Sequence, residues 1–389
     1  MMKKILLVII TLAIKQLVFS QDTAAVKTPA PVLMPGMTGP LLPNPKPMVF
    51  KIGLIGEVYV SGAVSSFFQL QNGIIPGDKK YQADISNSQV FIQKPNGFLQ
   101  FFIQAGSYSI PAVGIPYFRA VKATDIFYGA LPQGYLKIAP SKNFSVLAGK
   151  LPTLIGAEYT FSFENMNIQR GLLWNQENAV NRGVQLNYNK GPLTLAFSGN
   201  DGYYSKKYNW LWGSVSYAIN TNNTISLIGG GNTGRTTVST LATPLYQNNQ
   251  QIYNLIYTCN AGRFVILPYA QYSSVPHNTK LGIAQRASSY SGAIFVKYEA
   301  SASGFSIPLR LEYIHTTGTT AMGAPNLLYG AGSNAWSVTL TPTYQHKRFF
   351  GRTEFSYVQA DNITPGFAFG ATGDNKMQSR LILEIGMLF

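Results

Sequence analysis

The sequence predicts an all-β protein, a transmembrane antiparallel β-barrel of about 16 strands (14–18), with short periplasmic turns and long extracellular loops. Three observations lead to this fold class. The C-terminal residues alternate in polarity up to a final aromatic residue, the N-terminus resembles an export signal, and only 12% of the 389 residues are charged. A half-buried strand of a soluble protein would alternate in the same way, so the C-terminal pattern needs the other two observations beside it.

The C-terminal stretch Gln378–Phe389 has the two-residue period of a β-strand. One face carries an apolar row, Leu381, Leu383, Ile385, Met387 and Phe389. The other face carries Arg380, Glu384 and Gly386, with Ile382 and Leu388 among them. Strands of outer-membrane barrels place the apolar row toward lipid and the polar row toward the lumen, with aromatic residues at the membrane interface.

The N-terminus predicts a secretory signal peptide at residues 1–20. Lys3 and Lys4 precede the apolar run Ile5–Ile14, and Val18–Ser20 forms a plausible cleavage site before Gln21. The apolar run is short for a membrane-spanning helix, although a retained signal anchor remains the alternative. An exported chain that spans a membrane only with strands belongs in a bacterial outer membrane.

Residues 21–49 follow the signal and contain seven prolines between positions 29 and 47. Such a composition buries little apolar surface, so we expect an extended tail or linker in the periplasm. Occlusion of the pore or contact with the cell wall is the alternative role.

The charge balance is +15, or about +12 once Lys3, Lys4 and Lys15 are removed with the signal. The basic residues are scattered rather than clustered in a stripe, which favours attraction of small anions over nucleic-acid binding. Cys259 is the single cysteine, so no internal disulfide is possible, and we interpret it as an apolar wall residue.

From Phe50 onward the chain alternates strand-like runs with turns rich in Asn, Gly, Pro and Ser. The first predicted strand is Phe50–Ser61, and the sixteenth is Gln378–Phe389. Connections are alternately short and long, with the longest across residues 151–181. Short turns at one end and long loops at the other favour a barrel over a soluble β-sandwich, the structural alternative. Sixteen strands enclose a lumen wide enough for an aqueous channel.

Three short motifs resemble the OmpL-like putative β-barrel porin-2 family: Gly149–Tyr159, Arg170–Leu173 and Arg182–Val184. The resemblance covers about residues 50–389 and omits the Pro-rich stretch. It implies an outer-membrane porin whose substrates are mostly undefined. From the sequence as a whole we expect passive diffusion of small polar or charged solutes or ions, without a cofactor. The expected partners are outer-membrane lipid and those solutes; a homotrimer is expected because porins of this size are commonly trimers.

The longest connection, residues 151–181, is expected to fold inward and narrow the channel, by analogy with the loop at this position in general porins. A lid on the outer surface is the alternative. The candidate constriction residues are Glu158, Glu164, Arg170, Trp174, Glu177 and Arg182.

The polar rows of the first and the late strands predict a charged sector of the lumen wall. Its candidate pore-lining residues are Glu57, Lys297, Arg310, Glu312, Arg352, Glu354, Arg380 and Glu384. Two interpretations stay open: the charges act as a field that selects ions, or they neutralise one another across strands and stiffen the wall.

Catalysis is not expected. The three histidines, His277, His315 and His346, lie in separate hairpins without a matching serine motif, and the sequence has no metal-ligand cluster or phosphate-binding loop. A surface receptor or adhesin anchored by the barrel remains the alternative function, because loops bind partners without a sequence signature.

Overall fold

The computed structural model describes residue 37 and residues 39–300 and 304–389. The predicted signal peptide, residues 1–20, and residues 21–36 lie outside the described residues. Within the described residues, no helix has the length and apolar character needed to cross a membrane.

Eighteen strands are numbered in chain order within the described residues. They are β1 (Met48–Ile52), β2 (Gly56–Asn72), β3 (Tyr81–Lys94), β4 (Leu99–Tyr108), β5 (Gln133–Ile138), β6 (Phe144–Pro152), β7 (Val180–Lys190), β8 (Leu193–Asn200), β9 (Trp210–Asn220), β10 (Asn223–Asn232), β11 (Gln251–Ala261), β12 (Phe264–Val275), β13 (Ala287–Ala300), β14 (Phe305–Thr316), β15 (Asn334–Leu340), β16 (Thr343–His346), β17 (Phe349–Asp361) and β18 (Met377–Leu388).

The sheet closes on itself when β18 pairs with β2, with Leu381 opposite Leu70. All ladders are antiparallel, and apart from the closing β18–β2 pair they join barrel strands that follow one another in the chain. β15 and β16 form one barrel strand that is interrupted at Thr341 and Pro342, since proline has no N–H to donate to a ladder. β1 pairs only with the first five residues of β2, outside the ring. The barrel therefore has sixteen strands, which confirms the predicted fold class.

The two faces of the barrel differ as the C-terminal pattern predicts. On β18, Leu381 and Leu383 are exposed on the outer face, whereas Arg380 and Glu384 on the inner face are buried. The same division holds on β14, where Leu311 is exposed and Arg310 is buried. An apolar exterior and a polar interior are what a barrel in a lipid bilayer requires.

The prediction for the first strand was wrong. The barrel strand is β2, Gly56–Asn72, and the predicted run Phe50–Ser61 is instead divided between β1 and the start of β2. Gly53 and Gly56 both have positive φ, which turns the chain back on itself between the two strands. β18 then pairs with residues 63–72, so the ring is closed further along the chain than the alternation alone indicated.

The connections separate into two sets. Short turns join β3 to β4, β5 to β6 and each later pair, and they define the turn end of the barrel. Long loops define the loop end; residues 109–132 include the helix α1 (Ala120–Ile126), and residues 153–179 join β6 to β7. Most of the latter segment is buried, and we call it the inward loop.

Candidate functional site

The inward loop crosses the inside of the barrel. It is hydrogen-bonded to inward-facing side chains of β3, β11, β12, β14, β17 and β18. β14 lies eight strands along the sheet from β6, to which the loop is attached, in a ring of sixteen strands. The loop therefore reaches from its own wall to the wall opposite.

Arg310 on β14 is the first anchor of this crossing. Its Nη1 lies 2.6 Å from Oε1 of Glu158 in the inward loop and donates to the carbonyl oxygen of Gln169 at 2.7 Å. Its Nε lies 3.0 Å from Oε2 of Glu312 on the same strand. One guanidinium thus contacts two residues of the loop and one wall carboxylate. It can do so because its planar group presents several N–H donors in fixed directions, which a lysine ammonium does not.

Arg352 and Glu384 form a second anchor on neighbouring strands. Arg352 Nη2 lies 2.6 Å from Glu384 Oε2, and both side chains are fully buried. The same guanidinium donates to the carbonyl oxygens of Ser162 and Asn165 in the inward loop. The other oxygen of Glu384 accepts a hydrogen bond from the Ser162 hydroxyl at 2.8 Å. This cross-strand pair therefore binds the loop as well as the wall.

No cation of the described residues lies within ion-pair distance of Glu354, and hydrogen-bond donors surround its carboxylate instead. Its carboxylate accepts hydrogen bonds from the backbone N–H groups of Ile168 and Gln169 and from the Thr341 hydroxyl. The Gln169 amide also bonds Glu354 and accepts from Arg380 Nη1 at 2.8 Å. Charge-assisted bonds of this kind are about twice as strong as neutral ones.

Arg380 connects the wall to a second loop. Its guanidinium donates to Gln71 and to the carbonyl oxygens of Ala112 and Ile115 in the segment before α1. Asp78 lies 3.7 Å from the same guanidinium. Two long loops are thus tied to one arginine of the last strand.

Arg170 lies within the inward loop and differs from the wall arginines. Its backbone bonds residues 111 and 113, which fixes its position. Its guanidinium is fully buried 5.4 Å from the Trp174 ring, and none of its nitrogens has a hydrogen-bond partner among the described residues. Burial lowers the pKa of Arg170 to about 10, although four glutamates, among them Glu158 and Glu164, favour its charged form.

Burial also affects the carboxyl groups of the inward loop. It raises the pKa of Glu158 to about 7, against the stabilising effect of Arg310 and of the Gly171 N–H. It raises the pKa of Glu164 to about 8, although the Phe161 N–H bonds the carboxylate. It raises the pKa of Glu177 to about 8, although a hydroxyl of Tyr269 bonds one oxygen. The loop charge therefore changes near neutral pH.

Three of the candidate residues lie apart from this cluster. Glu57 is exposed at the start of β2 opposite Lys51, near the turn end. Lys297 pairs with Glu299 at 2.6 Å near the turn end of β13. Arg182 pairs with Asp201 at 2.7 Å at the loop end. The alternation of polar and apolar residues predicts which face of the barrel a side chain lies on. It does not predict where a strand begins and ends, and these limits set the position of the side chain along the barrel axis.

The remaining candidates of both sets lie inside the barrel, and all except Trp174 are buried. They are Glu158, Glu164, Arg170, Trp174 and Glu177 in the inward loop, and Arg310, Glu312, Arg352, Glu354, Arg380 and Glu384 on the wall.

The inner face of β7–β10 carries a neutral sector that is partly exposed. Its inward-facing members include Gln185, Ser214, Ser216 and Ser226. The Ser216 and Ser226 hydroxyls are 2.7 Å apart across the β9–β10 ladder. These four side chains are neutral, whereas the inner faces of β14, β17 and β18 carry buried arginines and glutamates.

Sequence reasoning missed several polar contacts of the inward loop. Asn254 accepts from the Gly156 N–H, Gln271 donates to the Leu173 carbonyl, and Gln169 joins Glu354 to Arg380. Alternation places Asn254 and Gln271 on the inner face, but the loop residues opposite them are distant in sequence. No local signal identifies such a pair.

Comparison with protein families matches the chain to the model described as putative beta-barrel porin-2, OmpL-like, over residues 57–389. The chain belongs to this family. The resemblance seen in the three short motifs is thereby confirmed, and the protein is an outer-membrane porin channel. The matched region contains the inward loop and all the barrel strands. Comparison with curated proteins finds no match.

Solved porin structures share the barrel fold at low sequence identity. DcaP, an outer membrane channel of Acinetobacter baumannii, has a TM-score of 0.59 at 11% identity, covering 87% of this chain and 99% of that chain. An anion-selective porin from Comamonas acidovorans has 0.58 at 12%, covering 85% and 99%. The trimer form of in-vitro folded OmpT of Vibrio cholerae has 0.57 at 13%, covering 85% and 99%.

Proposed function

We propose that the protein mediates passive diffusion of small polar or charged solutes across the outer membrane, through a water-filled passage narrowed by the inward loop. The observation that carries this proposal is the span of the loop, from β6 to the opposite wall at β14. A loop that only covered the outer surface would have no reason to bond six strands of the inner face.

The buried charges hold the loop, and the neutral sector lines the passage. Arg310, Arg352 and Glu384 are almost fully buried under the loop, so a solute cannot touch them directly. Gln185 and Ser226 on the neutral sector retain exposed surface on the inner face. The charges therefore act on permeating ions through their electric field. Hydroxyl and amide groups of the neutral sector make the direct contacts with the solute. No chemical conversion of the solute is part of this function.

Planar-bilayer recording of the purified protein tests the proposal. The wild-type protein should show stepwise conductance, and deletion of residues 159–174 should increase the step size. A matched deletion of residues 319–323, an exposed loop tip at the same end, should leave it unchanged. Both variants must first show the heat-dependent gel shift of a folded barrel. An absence of steps in every protein that passes this check would reject the channel.

We also propose a homotrimer, which the trimeric OmpT structure supports by fold alone. Native mass spectrometry of the protein extracted in mild detergent should give three times the monomer mass. A monomer that nevertheless conducts would reject the trimer and leave the channel intact.

A further inference from the structure

We propose that residues 39–47 are a second constricting element, a strap that lies under the inward loop at the turn end and limits the size of solute that passes. This strap belongs to the Pro-rich segment before β1 and lies outside the region matched by the family. The inference goes beyond the proposed function, because a porin narrowed by one loop does not require it.

The strap contacts the inward loop directly. The Gly39 N–H donates to the Glu164 carbonyl oxygen at 3.0 Å. A Cβ atom on Gly39 would stand 2.3 Å from the carbonyl oxygen of Asn165, so only glycine permits this approach. That carbonyl also accepts a hydrogen bond from Arg352, which places the strap one residue from an anchor of the loop.

The side chain of Leu41 is inserted into the barrel interior. It is 1% exposed and belongs to a buried cluster that includes Phe91 of β3 and Phe161 and Phe163 of the inward loop. The next residue, Leu42, points away and is 69% exposed. Burial of the Leu41 side chain favours the docked strap, because it removes apolar surface from water.

The rim of the barrel fixes the strap where it leaves the interior. Gln345 on β16 accepts from the Leu42 N–H at 2.8 Å and donates to the Leu42 carbonyl oxygen at 2.9 Å. Gln345 lies next to the turn between β16 and β17, which belongs to the turn end. The strap therefore runs inside the barrel from the inward loop to the rim, against the wall at β3, β16 and β17, and takes up part of the lumen at the turn end.

Local chemistry prepares this conformation. Four prolines restrict φ within the strap: Pro40, Pro43, Pro45 and Pro47. Asn44 bonds the backbone N–H and carbonyl oxygen of Lys46, which forms a turn. Proline and an Asn turn lower the conformational entropy lost on docking, and so a segment with little apolar surface can pack.

Paired substitutions at adjacent positions test the strap. Leu41→Asp places a carboxylate among the buried aromatic rings and should displace the strap, whereas Leu42→Asp changes an exposed side chain. Single-channel conductance should rise on the order of 1.5-fold or more for Leu41→Asp, because it removes one extended chain about 5 Å wide from the passage. Leu42→Asp should match the wild type. Gly39→Val should resemble Leu41→Asp, since the added Cβ cannot fit.

Liposome swelling with sugars of increasing size gives the second readout. Leu41→Asp should admit larger sugars than wild type. If both aspartate variants and Gly39→Val match wild type, while deletion of residues 159–174 raises conductance, the strap is refuted and the loop constriction remains.

Cysteine labelling tests whether the strap is docked, and it needs no conductance measurement. In a Cys259→Ser background, maleimide should modify Leu41→Cys at least tenfold more slowly than Leu42→Cys. Equal rates in folded protein would overturn the strap even if the wild type shows no conductance. Protection of position 41 in a protein without conductance would reject the channel proposal and retain the docked strap.

Discussion

Arg310 and Glu158 are separated by 152 residues in the chain, yet their Nη1 and Oε1 atoms lie 2.6 Å apart inside the barrel. The pair joins the wall of β14 to the inward loop. Both side chains are almost fully buried, and Glu312 stands against the same guanidinium. This contact is one of the anchors that hold the inward loop inside the barrel.

Arg310→Met should destabilise the barrel by about 3–5 kcal/mol, because it leaves two buried carboxylates without their counter-charge. Urea unfolding in lipid vesicles, followed by tryptophan fluorescence, measures this loss. The double variant Arg310→Met with Glu158→Gln should recover part of it, because one unpaired charge is gone. A double variant that loses the sum of both single effects would show that the pair is not coupled.

Ser226→Arg should make the channel more selective for anions. The serine belongs to the partly exposed neutral sector on β10, where a new cation would stand beside the passage. Reversal potentials in a potassium chloride gradient measure the shift. An unchanged potential in a folded variant would remove this sector from the passage.

Leu227→Arg is the matched control on the same strand. Its side chain lies on the outer apolar face, so an arginine there should cost about 2–4 kcal/mol near the bilayer midplane and leave selectivity unchanged. Urea unfolding in vesicles checks the first expectation. Equal stability of the two variants would contradict the assignment of inner and outer faces.

The selectivity should depend on pH. The raised pKa values of Glu164 and Glu177, about 8, mean that both carboxyls are neutral at pH 6 and ionised at pH 9. The cation-to-anion permeability ratio should therefore rise between these values. In Glu164→Gln with Glu177→Gln most of that rise should disappear. A full rise in the double variant would assign it to other groups.

The same shifts have a consequence for stability. A carboxyl whose pKa is higher in the folded state than in the unfolded state stabilises the fold fully at pH values below its unfolded-state pKa. That contribution is lost as the pH rises through its folded-state pKa, which is about 8 for Glu164. Protease cleavage of the inward loop should thus be slower at pH 6 than at pH 9. Equal cleavage rates, measured with a protease whose activity is matched at both pH values, would contradict this.

Gly156→Ala should loosen the inward loop. Gly156 has a φ of +88°, and a Cβ there would overlap the carboxylate of Glu177. Gly191→Ala, in the turn after β7, is the control: its φ is also positive, at +57°, but nothing lies near its Cβ position. The control should cost about 1–2 kcal/mol for its left-handed backbone, and only Gly156→Ala should also change conductance. Identical conductance in the two variants would argue against a role of Glu177 in shaping the passage.

The sequence by itself determined the class of the molecule. Period-two alternation is a local property of the backbone, so it predicted the apolar exterior, the polar interior and the facing of Arg310, Arg352 and Glu384. Turn chemistry is equally local, and it predicted the alternation of short turns and long loops.

Only the tertiary structure decided where the ring closes and what its interior contains. Closure depends on the pairing of β18 with β2, the last and the first strand of the ring. This pairing covers residues 63–72 of β2, so Glu57 lies outside the closed part of the wall. The course of the inward loop and the docking of Leu41 depend on contacts between residues that are far apart in sequence. Such contacts are chosen by burial and charge in three dimensions, and no local pattern in the chain records them.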